Sequence, residues 1–166
     1  MSTNVANATT DKRILDLVQV QRMVNIWRMK GDRIVFTNGC FDVLHRGHVE
    51  YLQEAAAIGD RLIIGVNSDA SVRRLGKADD RPFNDQDSRA KVLSALRFVD
   101  AVVVFDQDTP LELITAIGPD VLVKGGDWKA EDMIGSDIVI GRGGEVHSLK
   151  LVGGFSTTAL VRKIRQ

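Results

Sequence analysis

Apolar residues recur at two different spacings along this chain. Between Ile14 and Met29 they fall at Val20, Met23, Val24 and Trp27, the i, i+3, i+4, i+7 spacing of an amphipathic helix. Gly31 closes it. Trp27 would anchor this helix to the main body or to a second subunit. After Gly31 the pattern changes to short, nearly continuous apolar runs at 33–38, 62–66, 101–105, 121–124 and 145–149. Strands buried on both faces have this composition. Between them lie helical stretches: 47–58, closed by Gly59; a short helix from Ser68; 87–98, with Val92, Leu93 and Leu96 inward; and 156–164. Thr109-Pro110-Leu111-Glu112 reads as an N-cap, first-turn proline and capping glutamate, with the helix running to Ile117 and stopping at Gly118-Pro119. Residues 75–85 read as an exposed loop.

Strands alternating with helices predict a doubly wound α/β fold with a parallel five-stranded sheet. An order of 3-2-1-4-5 would make strands one and four neighbours. Ligands bind beyond the carboxyl ends of such strands, where the order reverses. Residues 39–48 and Lys124 would then face each other across one crevice. Residues 1–11 are expected to be a disordered tail, 12–30 the extra N-terminal helix, and 31–166 the single α/β domain.

Composition narrows the function. The chain has 166 residues, 44% of them hydrophobic, and its 22 basic residues balance 22 acidic ones. No broad basic field is available for nucleic acid. A single cysteine, Cys40, excludes an internal disulfide and suits a reducing, cytoplasmic setting. No signal peptide or membrane-length apolar run is present, so no membrane partner is expected. The phosphate loop of kinases, the glycine-rich dinucleotide signature and the serine-hydrolase elbow are all missing.

The chemistry concentrates in Asn38-Gly-Cys-Phe-Asp-Val-Leu-His-Arg-Gly-His48. It sets His45 and His48 three apart where a strand passes into a helix, between Gly39 and Gly47. A helix N-terminus offers free N–H groups and a positive dipole end, which suits a polyphosphate, and imidazoles add further donors, stronger when protonated. No metal site is expected, because Asp42 is the one acid nearby. Ser156-Thr157-Thr158 opens the last helix behind Gly153-Gly154, as a plain N-cap or as a second anion-binding element. Lys77, Arg81, Arg89 and Lys124 form a basic set, solvated or ligand-directed. Lys77 sits in the exposed loop, Arg89 stands in a helical first turn against the dipole preference, and Lys124 ends a strand before Gly125-Gly126. Asn67 either binds substrate or caps the next helix. Asp127 and Trp128 would line an acceptor side.

The 38–48 string resembles the first motif of the cytidylyltransferase-like nucleotidyltransferases. Val66-Asn67-Ser68-Asp69, Lys124-Gly-Gly-Asp127 and Gly154-Phe-Ser-Thr-Thr158 follow in the order of that family. Thr37-Asn-Gly-Cys-Phe-Asp42 and Val123-Lys-Gly-Gly-Asp-Trp128 resemble its heptose 1-phosphate adenylyltransferase branch. The resemblance implies a Rossmann-like domain that transfers AMP from ATP, with Mg²⁺, to a sugar 1-phosphate, specifically D-glycero-β-D-manno-heptose 1-phosphate. It implies His45, His48 and Lys124 as catalytic residues. It places Thr37, Asn38, Gly39, Cys40, Phe41, Gly47, Lys77, Arg89, Gly125, Ser156, Thr157 and Thr158 at the nucleotide, and Asp42, Asn67, Asp127 and Trp128 at the substrate. Phe41 has core packing as its alternative. Asp42 either orients a histidine, helps hold Mg²⁺ or caps the turn. Family relatives often carry an arginine shortly before Ser-Thr-Thr; here Lys150 stands in that region. A homodimer is expected, with residues 14–29 serving it or covering the domain's own core. A cytidylyltransferase acting on glycerol 3-phosphate or another small phosphate, and a non-catalytic nucleotide-binding module, are the alternatives.

Overall fold

The computed structural model describes residues 11–76, 80–151, 153–164 and 166. The expected tail, Asp11 excepted, and Lys77 lie outside the described residues. Five strands form one parallel sheet: β1 (Ile34–Gly39), β2 (Arg61–Asn67), β3 (Ala101–Phe105), β4 (Val121–Gly125) and β5 (Glu145–Leu149). Their order is β3-β2-β1-β4-β5, the doubly wound order expected from the sequence. Central β1 pairs with β2 from Ile34↔Arg61 to Gly39↔Val66 and with β4 from Val35↔Val121 to Thr37↔Val123.

Strand side chains alternate between two buried layers. Ile34, Phe36 and Ile63 pack with Val20, Val24 and Trp27 of helix α1 (Leu17–Met29) and with Leu113, Ile114 and Ile117 of α5 (Leu111–Ile117). Val35, Ile64 and Val123 pack on the other face with Tyr51, Leu52 and Ala55 of α2 (Arg46–Ala56) and with Ala90 and Leu93 of α4 (Gln86–Ser94). Helices α3 (Asp69–Arg74), α6 (Ser136–Gly141) and α7 (Thr157–Ile164), with a 3₁₀ turn at Ala130–Asp132, complete the described elements.

Three local expectations are corrected. The N-terminal helix begins at Leu17, because Asp16 and Gln19 close a reciprocal capping box; upstream, Ile14 bridges to Val102 and lengthens the sheet past edge strand β3. Trp27 is buried against the domain's own core, while Val18 and Met29 face outward. Thr109 caps nothing: Pro110 precedes α5 without a side-chain cap, and Gly118 ends it in the left-handed conformation. Val92 is exposed. The buried face of α4 is Arg89, Ala90, Leu93 and Ser94, rotated because a paired arginine takes an inward position that an apolar pattern does not show.

Candidate active site

At its carboxyl end β1 stops at Gly39 and the chain turns toward α2. Phe41 holds the turn with a φ of 48°, a conformation that a side chain of its size adopts only when packing imposes it. A Cβ on Gly39 would lie 3.1 Å from the Phe41 ring, so glycine lets that ring fold back over the strand end. Buried Phe41 meets His48 edge to face, centroids 5.4 Å apart.

His45 is the N-cap of α2 and His48 lies in its first turn. The His48 N–H donates to the His45 carbonyl (2.9 Å) and approaches His45 Nδ1 (3.4 Å). An accepting Nδ1 leaves the His45 proton on Nε2. The two rings stack, centroids 3.8 Å apart and planes 18° apart. Burial pushes the His48 pKa down to about 4, the neighbouring His45 pushes the same way, and the Val43 carbonyl offsets part of it. Burial also lowers His45. Both imidazoles are therefore neutral donors at neutral pH. His48 Nδ1 is buried without a hydrogen-bond partner. Gly47, between them, sits where a Cβ would lie 3.1 Å from Phe155 Cβ and 3.2 Å from His45 Nδ1.

These groups form one wall of an open crevice of about 430 Å³. Asn38, Gly39, Cys40 and Asp42 continue it; Lys124, Gly125 and Trp128 face it from β4; and Phe155, Ser156, Thr157 and Thr158 line it at the start of α7. The neighbours β1 and β4 thus bring the 39–48 segment and Lys124 together. Lys124 Nζ donates to Asn38 Oδ1 (3.3 Å) and stands 5.9 Å from the Trp128 ring. The Ser156 hydroxyl accepts from the Ala159 N–H at 3.0 Å. A side cavity of about 90 Å³ shares Asn38, Lys124 and Trp128 with the crevice and adds Asp132 and Met133.

Several sequence candidates lie elsewhere. Thr37 is fully buried and its hydroxyl pairs with Tyr51 Oη. Arg89, at 2% exposure, donates to the carbonyls of Cys40 (2.6 Å) and Asn84 (3.0 Å) and to Asp69 Oδ1 (2.7 Å); it braces the wall from behind. Buried Asn67 donates to Ser71 Oγ (3.0 Å) and accepts weakly from the Cys40 thiol at 3.9 Å. Asp127 is exposed and lines neither cavity. Asp42 does cap a turn: Oδ1 accepts from the N–H groups of Phe83 (2.7 Å) and Asn84 (3.1 Å).

Three further residues belong to this region, and neither Tyr51 nor Phe155 carries a sequence signal of its own. Tyr51, its hydroxyl pushed up to about 12 by burial, lies under both central strand ends: it pairs with Thr37, and a Cβ on Gly125 would meet its ring at 3.4 Å. Phe155, within the Gly154–Thr158 string, and Arg81, one of the basic set, both line the crevice.

The cytidylyltransferase-like family matches residues 36–149, from within β1 to the end of β5. The chain belongs to the cytidylyltransferase-like family. Its relatives include the bifunctional protein HldE of Wolinella succinogenes, 56% identical over 156 residues, which are 94% of this chain and 32% of that protein. The bifunctional protein HldE of a Nitratiruptor species is 51% identical over 162 residues, 98% of this chain and 34% of the other. The chain thus spans about a third of the length of the curated relatives it matches. Among solved structures, the lipopolysaccharide core biosynthesis protein from Thermoplasma volcanium superposes with a TM-score of 0.60 at 30% identity, over 74% of this chain and 98% of that one. Pantoate-β-alanine ligase from Francisella tularensis, complexed with β-γ ATP and β-alanine, gives a TM-score of 0.59 at 14% identity, over 92% and 79%; at that identity the likeness is one of fold. None of the helices among the described residues is long and apolar enough to cross a membrane.

Proposed function

We propose that this cytidylyltransferase-like domain transfers AMP from ATP to D-glycero-β-D-manno-heptose 1-phosphate, yielding ADP-heptose and pyrophosphate for surface-glycan synthesis in the cytoplasm. The observation that carries the reading is the convergence of the His45–His48 pair, Lys124 and Ser156-Thr157-Thr158 on one crevice at the strand-order reversal. The likeness to HldE proteins across 94% of the chain and to a lipopolysaccharide core biosynthesis protein supports the acceptor class.

In this reaction an oxygen of the acceptor phosphate attacks the α-phosphorus of ATP. The new P–O bond forms as the bond to the bridging α–β oxygen breaks, and that oxygen leaves with pyrophosphate. The nucleophile is already an anion, so no strong base is required. Positioning and charge stabilisation carry the step, as in other phosphoryl transfers. His45 and His48 would donate to phosphate oxygens as charge gathers on the leaving group, and Lys124 would stand between nucleotide and acceptor. Trp128, which lines both cavities, is proposed for the acceptor side.

Among the described residues Asp42 is the one carboxylate lining the crevice, and its Oδ1 already accepts two backbone N–H groups. No group of three or more His, Cys, Asp or Glu placed to hold a metal ion occurs among the described residues. This donor set does not fit a resident magnesium, which favours octahedral oxygen and phosphate ligation; Mg²⁺ is proposed to arrive on the triphosphate. The test is pyrophosphate release with the heptose 1-phosphate and each nucleoside triphosphate in turn. Release with ATP is expected. Release with CTP alone, or with glycerol 3-phosphate and not the heptose, would overturn the assignment.

A further inference from the structure

Arg81 is the cation that the reaction scheme leaves without a task. Among the described residues lining the crevice, Lys124 and Arg81 are the two cations. With both histidines neutral, a bound triphosphate is met by few fixed positive charges. Lys150, six residues before Ser156, is exposed and lines neither cavity.

The Arg81 side chain is drawn in to 14% exposure, with Nε 3.9 Å from Asp42 Oδ2 and the guanidinium carbon 5.8 Å from the Phe83 ring centroid. Asp42 is 3% exposed, and its Oδ2 has no hydrogen-bond partner. A separation of 3.9 Å lies beyond hydrogen-bond reach. Asp42 therefore attracts the guanidinium by charge without engaging it in a hydrogen bond, and a guanidinium placed this way suits bidentate capture of phosphate oxygens. An arginine kept to neutralise Asp42 would close on Oδ2; this one stops short and faces the crevice.

Sheet order decides which phosphates it would meet. Lys124 and Trp128 belong to β4 and the chain just after it, on one side of β1, the side to which the proposed function assigns the acceptor. Arg81 comes from the connection between α3 and α4, which follows β2 on the other side of β1. We propose that Arg81 grips the β- and γ-phosphate oxygens of the nucleotide, the part that leaves as pyrophosphate, with Asp42 and Phe83 holding its guanidinium in place. This rests on reading the crevice as a nucleoside triphosphate site.

Calorimetric titration of the whole chain with ATP, AMP and inorganic tripolyphosphate tests it, with Arg81→Gln, Arg81→Lys and a thermal melt of each. Arg81→Gln is expected to weaken ATP and tripolyphosphate about 10- to 100-fold, the range of a charged hydrogen-bonding pair, and to leave AMP unchanged. Arg81→Lys should recover part of the loss. Wild-type ATP affinity in Arg81→Gln, or equal losses for ATP and AMP, overturns the proposal. Should Arg81→Gln fail to fold, Arg81→Lys keeps the charge beside Asp42, and the same ATP-against-AMP contrast decides. ATP binding without pyrophosphate release in the presence of the heptose 1-phosphate would sink the acceptor reading alone. A chain that binds no nucleoside triphosphate would sink both.

Discussion

The imidazoles of His45 and His48 lie face to face, 3.8 Å apart, at the first turn of α2. Protonating one raises the cost of protonating the other, so the empty crevice holds a neutral pair. Under the proposed reading, a neutral pair would meet a triphosphate by directional hydrogen bonding rather than by net charge.

Replacing His48 by Ala should lower the turnover of pyrophosphate release about 10²- to 10³-fold, as for loss of one oxyanion-type donor. Steady-state assays with ATP and the heptose 1-phosphate measure it. Unchanged turnover would remove His48 from the chemistry.

The same pair sets a pH dependence. The folded-state pKa of His48, about 4, lies below the 6.5 of an unperturbed histidine. Between those values the unfolded chain binds more protons, so this contribution is fully present above 6.5 and is lost as pH falls toward 4. Urea denaturation at pH 7.5 and pH 5 should show wild type losing more stability than His48→Gln. Triphosphate binding raises both imidazole pKa values, so calorimetry near pH 6.5 in two buffers of different ionisation enthalpy should register proton uptake.

Gly47→Ala separates geometry from stability. Alanine is the better helix former by about 0.5–1 kcal/mol, yet its methyl would press on His45 Nδ1 from 3.2 Å. We expect an unchanged or higher melting temperature with kcat/KM about tenfold lower, since small displacements of positioned groups are costly. Unchanged kcat/KM would show that the ring position is not critical.

Tyr51→Phe should cost about 1–3 kcal/mol by leaving the fully buried Thr37 hydroxyl unpaired. Adding Thr37→Val removes both polar partners and should restore most of that stability. Urea unfolding of the two single variants and the double variant closes the cycle; additive losses would show that the two hydroxyls are not coupled.

Arg89→Leu should destabilise by about 3 kcal/mol or more, because it strips a buried cation from Asp69 and leaves the Cys40 and Asn84 carbonyls without their donor. Chemical denaturation measures this. A loss of ATP affinity at unchanged stability would instead return Arg89 to the nucleotide.

The crevice wall formed by residues 38–48 was legible because its signals are local: a strand, two glycines and two histidines within one turn of backbone. The misfit of Arg89 with the helix dipole has an internal partner that local sequence does not show: Asp69, twenty residues earlier, pairs with it. Arg81 and Tyr51 gave no comparable signal. One sits in a loop of mixed charge and the other at an ordinary inward helix position, and each acquires its role from neighbours distant in sequence.

By itself the sequence determined the alternation of buried strands and amphipathic helices, and hence a parallel sheet whose order reverses beside the His45–His48 turn. Hydrophobic period and glycine placement act over a few residues, so they can be read along the chain. Tertiary structure decided which polar side chains line the crevice and which are consumed as internal partners: Arg81 in the crevice, Arg89, Asn67 and Thr37 behind it. That division depends on where buried carboxylates, carbonyls and hydroxyls fall in space, because a buried polar group must be satisfied by whatever packing brings beside it.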